Sequence, residues 1–65
     1  MTPLTPKQLQ CLELVATGLP HKTIADRLGV SLQVVKDRCE RVNHKLGARN
    51  SINAVYIAAK LGVLQ

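Results

Sequence analysis

Residues 21–46, HKTIADRLGVSLQVVKDRCERVNHKL, leave little freedom in how they fold. Ile24, Ala25 and Leu28 make an i, i+1, i+4 apolar stripe, the pattern of a short helix with one buried side. Gly29 stands where a left-handed residue stops a helix, and Val30 gives the turn an apolar anchor. Ser31 then offers a side-chain oxygen to the free N–H groups at the start of a longer helix. With Val35 at zero and about 100° turned per residue, Cys39, Val42 and Leu46 fall within about 40° of one line and so face inward. The opposite face collects Gln33, Lys36, Asp37, Glu40, Arg41 and His44, with Arg38 and Lys45 on one flank. A polar, cation-flanked helix face presented across a tight turn by a short helix has the geometry that enters a DNA major groove. The plainer reading of the same pattern is two helices of an arbitrary small bundle with a solvated outer side.

Composition narrows the partner. Nine Lys and Arg against four Asp and Glu give a net charge of +5, which favours an anionic partner, nucleic acid being the commonest. The chain has no Trp or Phe and one Tyr, so it lacks the aromatic platforms on which unpaired bases stack in single-strand and RNA binders. Double-stranded DNA is the better fit. With 65 residues there is room for one domain, 1–65, and no sensor domain is expected beside it if this is the natural chain and not an excised fragment. A chain of this size buries only about 60% of the surface that its unfolded form exposes, so self-association would add stability. A hydrophobic content of 46% is too high for a disordered tail, and no apolar run is long enough for a bilayer. Met1 is followed by turn chemistry rather than an apolar signal segment. These features lead us to expect a soluble, cytoplasmic protein.

Cys11, Cys39, His21 and His44 are a nominal zinc set, but no pair has zinc-finger spacing. Cys39 and His44 lie about 140° apart around one helix. The cysteines are expected to pack as small hydrophobes, with no metal and no cofactor. Catalysis is not expected either. Glu13, Asp26, Asp37 and Glu40 are the only carboxylate side chains, and neither histidine has an evident nucleophile or orienting acid beside it.

The remaining signals frame the central stretch. Thr5 as cap, Pro6 at the first helical position and Gln8 three residues after the cap write a capping box, with Leu4 and Leu9 placed as a hydrophobic staple. The apolar side of that helix runs through Cys11, Leu12 and Val15, and Gly18 ends it, with Leu19 turning back onto the core. Pro20 opens the next helix, where His21 and Lys22 occupy a first turn whose free N–H groups can meet a phosphate. After Gly47, Asn50 or Ser51 caps a last helix with two apolar stripes. Ala54, Ile57, Ala58 and Leu61 suit the domain's own core. Ile52, Val55, Tyr56 and Ala59 are left for another copy to cover. The expected fold is all-α, a four-helix helix-turn-helix domain with helices at 6–17, 20–28, 31–46 and 51–61.

Laid out in this order, the chain resembles the C-terminal DNA-binding domain of LuxR/FixJ-type bacterial transcription regulators, the GerE-like four-helix family. The resemblance spans roughly 4–62 and is carried by LTPKQ, LELVATGLPHKTIADRLGVS, VVK inside the third helix, and HKLGARNS. It implies that residues 31–46 enter the major groove, that Lys36, Asp37 and Glu40 face bases, and that Lys22, Arg38 and Lys45 meet the DNA backbone. It also implies that the last helix dimerises, and this chain looks similar to the family's stand-alone members. The chain departs from the family pattern at Val34, where Thr is usual, and at Arg38, where His is frequent. The sharper departure is the pair of acids, Asp37 and Glu40. A carboxylate can accept from cytosine N4 but repels phosphate, so it favours selectivity over affinity.

The expected function is a sequence-specific, homodimeric transcriptional regulator in the bacterial cytoplasm, on the nucleoid when bound. Lys36, Asp37, Glu40, Arg41 and His44 are the base-contacting candidates. Lys22, Ser31, Gln33, Arg38, Lys45 and Arg49 are the backbone-contacting ones, and Ile52, Val55, Tyr56 and Ala59 form the dimer interface. The alternative is a protein-interaction module that pairs with a larger LuxR-type regulator and antagonises it.

Overall fold

Each helix of the computed structural model, which describes residues 4–64, begins and ends on the chemistry that the sequence supplies for it. At the first, the Thr5 hydroxyl oxygen accepts from the Gln8 N–H at 3.2 Å, and Gln8 Oε1 accepts from the Thr5 N–H at 3.1 Å. That reciprocal box satisfies two donors that a helix start leaves without partners. Ser31 Oγ accepts from the Val34 N–H and Asn50 Oδ1 from the Asn53 N–H at the third and fourth starts. The elements are α1 Pro6–Ala16, α2 His21–Leu28, α3 Leu32–Leu46 and α4 Ser51–Lys60. They agree with the expected spans to within one residue, and every difference is a cap: Thr17, Pro20, Ser31 and Leu61 flank their helices instead of belonging to them. No strand occurs among the described residues, and no helix among them is long and apolar enough to cross a membrane. The turn chemistry read directly after Met1 lies outside the described residues.

Pro20 differs in role from the expectation. Its ψ of 153° is extended, so it caps α2 from outside with no side-chain hydrogen bond. Its carbonyl accepts from the Ile24 N–H at 3.0 Å.

The turn between α2 and α3 depends on Gly29, whose φ of +69° and ψ of 33° are left-handed. This reversal lets the Val30 N–H reach back to the Ala25 carbonyl at 3.0 Å, closing the helix end while Val30 packs on the core. Gly47 repeats the device after α3, with the Ala48 N–H on the Asn43 carbonyl at 2.8 Å.

The core has two centres. Cys11, Ile24, Ala25, Val35 and Cys39 form one, with Leu14, Val15, Leu19, Leu28 and Val30 packed around it. Leu12, Val42, Ala54 and Ala58 form the other, joined by Leu4, Leu46, Ala48, Val55, Val63 and Leu64. Helices α1 and α3 contribute to both, α2 to the first and α4 to the second. Ala54 and Ala58, each fully buried, carry no bulk beyond Cβ, so the α4 backbone comes close to α1 and α3. Leu61, expected in the core, is 52% exposed, because the helix ends at Lys60 and Leu61 becomes its cap. Val63 and Leu64, after the glycine, turn back to pack in its place.

A Cβ added at Gly29 would meet nothing within 4 Å, so a substitution there costs backbone strain alone. Gly29→Ala should lower stability by about 1–2 kcal/mol, and Gly29→Asn by less, as read from urea unfolding followed by circular dichroism. Equal stability of wild type and Gly29→Ala would contradict this account of the turn.

Candidate nucleic-acid interface

Because Val35 and Cys39 are held in the first centre and Val42 in the second, α3 is gripped from behind along most of its length. Its other side is left to solvent: Gln33, Lys36, Asp37, Glu40, Arg41 and His44 are all exposed, while Arg38 and Lys45 are half-buried on the flank. The face read from helical periodicity is thus the face that the fold leaves open. Gln33 and Asp37, one turn apart, are joined by a hydrogen bond of 3.0 Å from Gln33 Nε2 to Asp37 Oδ1.

The outer side of α3 is not a bare cylinder. The start of α1 stands beside it, and an open hollow between them is lined by Thr5, Gln8, Asp37, Glu40, Arg41, His44 and Lys45. An adjoining hollow adds Lys7, Val34 and Arg38. Lys7 was not singled out from the sequence. It is exposed in the first turn of α1, and no local pattern in the sequence marks its place beside α3.

Lys45 Nζ donates to Gln8 Oε1 at 2.7 Å, the same oxygen that closes the α1 capping box. Gln8 is only 8% exposed. One amide oxygen therefore fastens the last turn of α3 to the first turn of α1. Sequence reading placed Lys45 on a phosphate-facing flank and missed this bond, since the partners are 37 residues apart and no local pattern links them. At the link before α4, the Arg49 N–H donates to Asn53 Oδ1 at 3.2 Å, leaving its exposed side chain projecting from an ordered backbone. Lys22 is exposed in the first turn of α2. Its neighbour His21 turns inward instead, with Nε2 3.7 Å from Cys39 Sγ. Burial pushes the Cys39 thiol up, the neighbouring Cys11 adds to this, and Ser51 pulls weakly the other way. A thiol kept protonated in this way is a poor nucleophile and a poor metal ligand, and it packs as a small hydrophobe.

On α4 the four residues expected at a dimer interface separate. Ile52 is 82% exposed and Tyr56 60%, and Ala59 is exposed with them. Val55 is half-buried and packs on the second core centre. The Lys60 ammonium lies 5.4 Å from the Tyr56 ring centroid, within range of a cation–π attraction.

A short helix, a left-handed turn and a longer helix with its polar side outward, closed from behind by α1 and α4, define a helix-turn-helix domain of the DNA-binding kind. Residues 2–58 match the GerE family, bacterial regulatory proteins of the luxR type. The chain belongs to that family, whose members are DNA-binding regulators and not enzymes. Among curated proteins it is 44% identical over 63 residues to the transcriptional regulatory protein YdfI of Bacillus subtilis. It is 35% identical over 63 residues to the uncharacterized transcriptional regulatory protein YxjL of the same organism, and 37% identical over 60 to the response regulator RamR of Streptomyces coelicolor. These alignments cover 97%, 97% and 92% of this chain, but only 30%, 29% and 30% of the three relatives.

The Lys45–Gln8 bond generates a direct test. A carboxylate at position 8 would still accept from Thr5 N–H and would meet Lys45 as a charge pair at a helix N-terminus. Gln8→Glu should therefore raise stability by about 1 kcal/mol at neutral pH, and Gln8→Ala should lower it by about the same or more. A Gln8→Glu protein that melts below the wild type would show that the contact does not tie the two helices.

Proposed function

We propose that residues 1–65 act as one DNA-binding unit, a cytoplasmic, sequence-specific regulator of transcription that binds double-stranded DNA as a homodimer with α3 in the major groove. The observation that carries this reading is the unbroken exposed polar side of α3, gripped from behind by both core centres. A helix held so firmly meets base edges without first having to be ordered. Lys36 donates to guanine O6 and N7, the commonest specific contact. Asp37 and Glu40 accept from cytosine N4, and Arg41 and His44 reach bases further along the groove. Lys22, Arg38 and Arg49, with the free hydroxyl hydrogen of Ser31, place the domain on phosphates. Lys45, held at the seam between α3 and α1 by its bond to Gln8, is the remaining backbone-contacting candidate.

A second copy covers α4. Ile52, Tyr56 and Ala59 make an exposed apolar strip that carries no carboxylate, and the cation at its end, Lys60, is drawn over Tyr56. Two such copies would read half-sites about one helical turn apart, some 10 bp centre to centre. The acids on the reading face favour a second reading, in which the same strip pairs with a larger regulator of this family and reduces its DNA binding.

Lys36→Ala should cost about 1–3 kcal/mol on the preferred duplex and relax specificity at one position. Lys22→Ala should weaken all duplexes alike and lower the slope of log K against log salt by about one. Equal losses on preferred and random duplex for both variants would refute this division. Sedimentation of wild type and Ile52→Glu tests the strip: the expected result is a dimer for the first, a monomer with weaker operator binding for the second. Tight pairing with a full-length relative, without sequence-preferring binding to duplex, would support the second reading instead.

A further inference from the structure

Gln33 and Asp37, both outward on α3, hold each other's side chains through a 3.0 Å hydrogen bond from Gln33 Nε2 to Asp37 Oδ1. We infer that Gln33 and Asp37 act as a coupled base-reading pair that selects bases presenting an amino group in the major groove, adenine or cytosine, at two nearby positions of the operator. The inference rests on the reading of α3 as the groove-entering helix and deepens it. It also moves Gln33, expected from sequence to touch the DNA backbone, into the set that determines specificity.

The chemistry follows from what a carboxylate can do. An ionised Asp only accepts hydrogen bonds, so the Gln33 amide must present its NH2 to Asp37, and this fixes an orientation that a free amide would leave open. The amide oxygen and one N–H then remain for a ligand. That combination matches adenine N6 and N7, while the second Asp37 oxygen matches the amino group of cytosine or adenine. Guanine O6 and thymine O4 are acceptors in the same places, and they would face an acceptor across a desolvated contact. A phosphate is a poor partner for the pair, because the amide donor lies beside a full negative charge. Residues four apart on a helix are separated by about 6 Å along the axis, and base pairs by about 3.4 Å, so the two contacts fall on base pairs one or two steps apart.

The test uses the whole chain and duplexes recovered by selection from random DNA, with dissociation constants measured on every single-base variant of the recovered site. Wild type should prefer A or C, on the order of tenfold, at two positions one or two steps apart. Gln33→Ala should flatten the preference at one of them. Asp37→Asn is the discriminating variant, since an amide at 37 can still hydrogen-bond Gln33 but no longer dictates which way it points; it should flatten both positions. Both side chains are exposed, so melting temperatures should barely move, and a variant that melts much earlier is replaced by Gln33→Glu or Asp37→Ser. The inference is overturned if Asp37→Asn relaxes a single position, or if Gln33→Ala weakens all duplexes alike and lowers the salt slope as a phosphate contact would. If wild type shows no sequence preference on any duplex, the groove-reading role of α3 itself falls, which is a separate outcome from loss of coupling.

Discussion

The structure depends on one stripe, Val35, Cys39 and Val42 along the inner side of α3, because it belongs to both halves of the core. Its upper residues are enclosed by α1 and α2 around Cys11, Ile24 and Ala25, its lower one by α1 and α4 around Leu12, Ala54 and Ala58. A helix outside a small domain would ordinarily fray at one end. Here the two halves of α3 pack against different neighbours, and the polar side is held out as a consequence. The buried residues are small. Two cysteines and three alanines lie in the core and no aromatic ring does, so the helices approach closely and the domain gains contact density in place of large side chains.

The Lys45–Gln8 bond completes this arrangement at the surface. Gln8 closes the cap of α1 and at the same time accepts from the last turn of α3, so the start of α1 and the end of α3 share one oxygen. That contact builds the wall of the hollow in which Asp37, Glu40, Arg41 and His44 sit. The first turn of α1, which the sequence marks only as a well-capped helix start, thereby becomes part of the candidate interface and brings Lys7 with it.

Electrostatics divides the same surface in two. The net charge of +5 supplies general attraction to a polyanion, and the exposed cations Lys22 and Arg49 lie away from the centre of α3. The outer face of α3 carries two carboxylates, Asp37 and Glu40, beside the cations Lys36 and Arg41.

The helices and the outward face of α3 were legible in the sequence because both follow from local rules: caps, left-handed glycines and a 3.6-residue period each act within a few residues. Ser31, Gly29 and the stripe from Val35 to Val42 therefore determined the helix-turn-helix unit by themselves. Tertiary structure decided what no local rule reaches. Leu61 left the core because the helix stops one residue short of it, and Val55, on the opposite stripe, went partly in because it packs against the cluster of Leu12, Val42, Ala54 and Ala58. His21 turned toward Cys39, and Lys45 toward Gln8, across gaps of 18 and 37 residues. Contacts over such separations exist only once the helices have packed, since they are set by where neighbouring backbones lie in space and not by the order of residues along one of them.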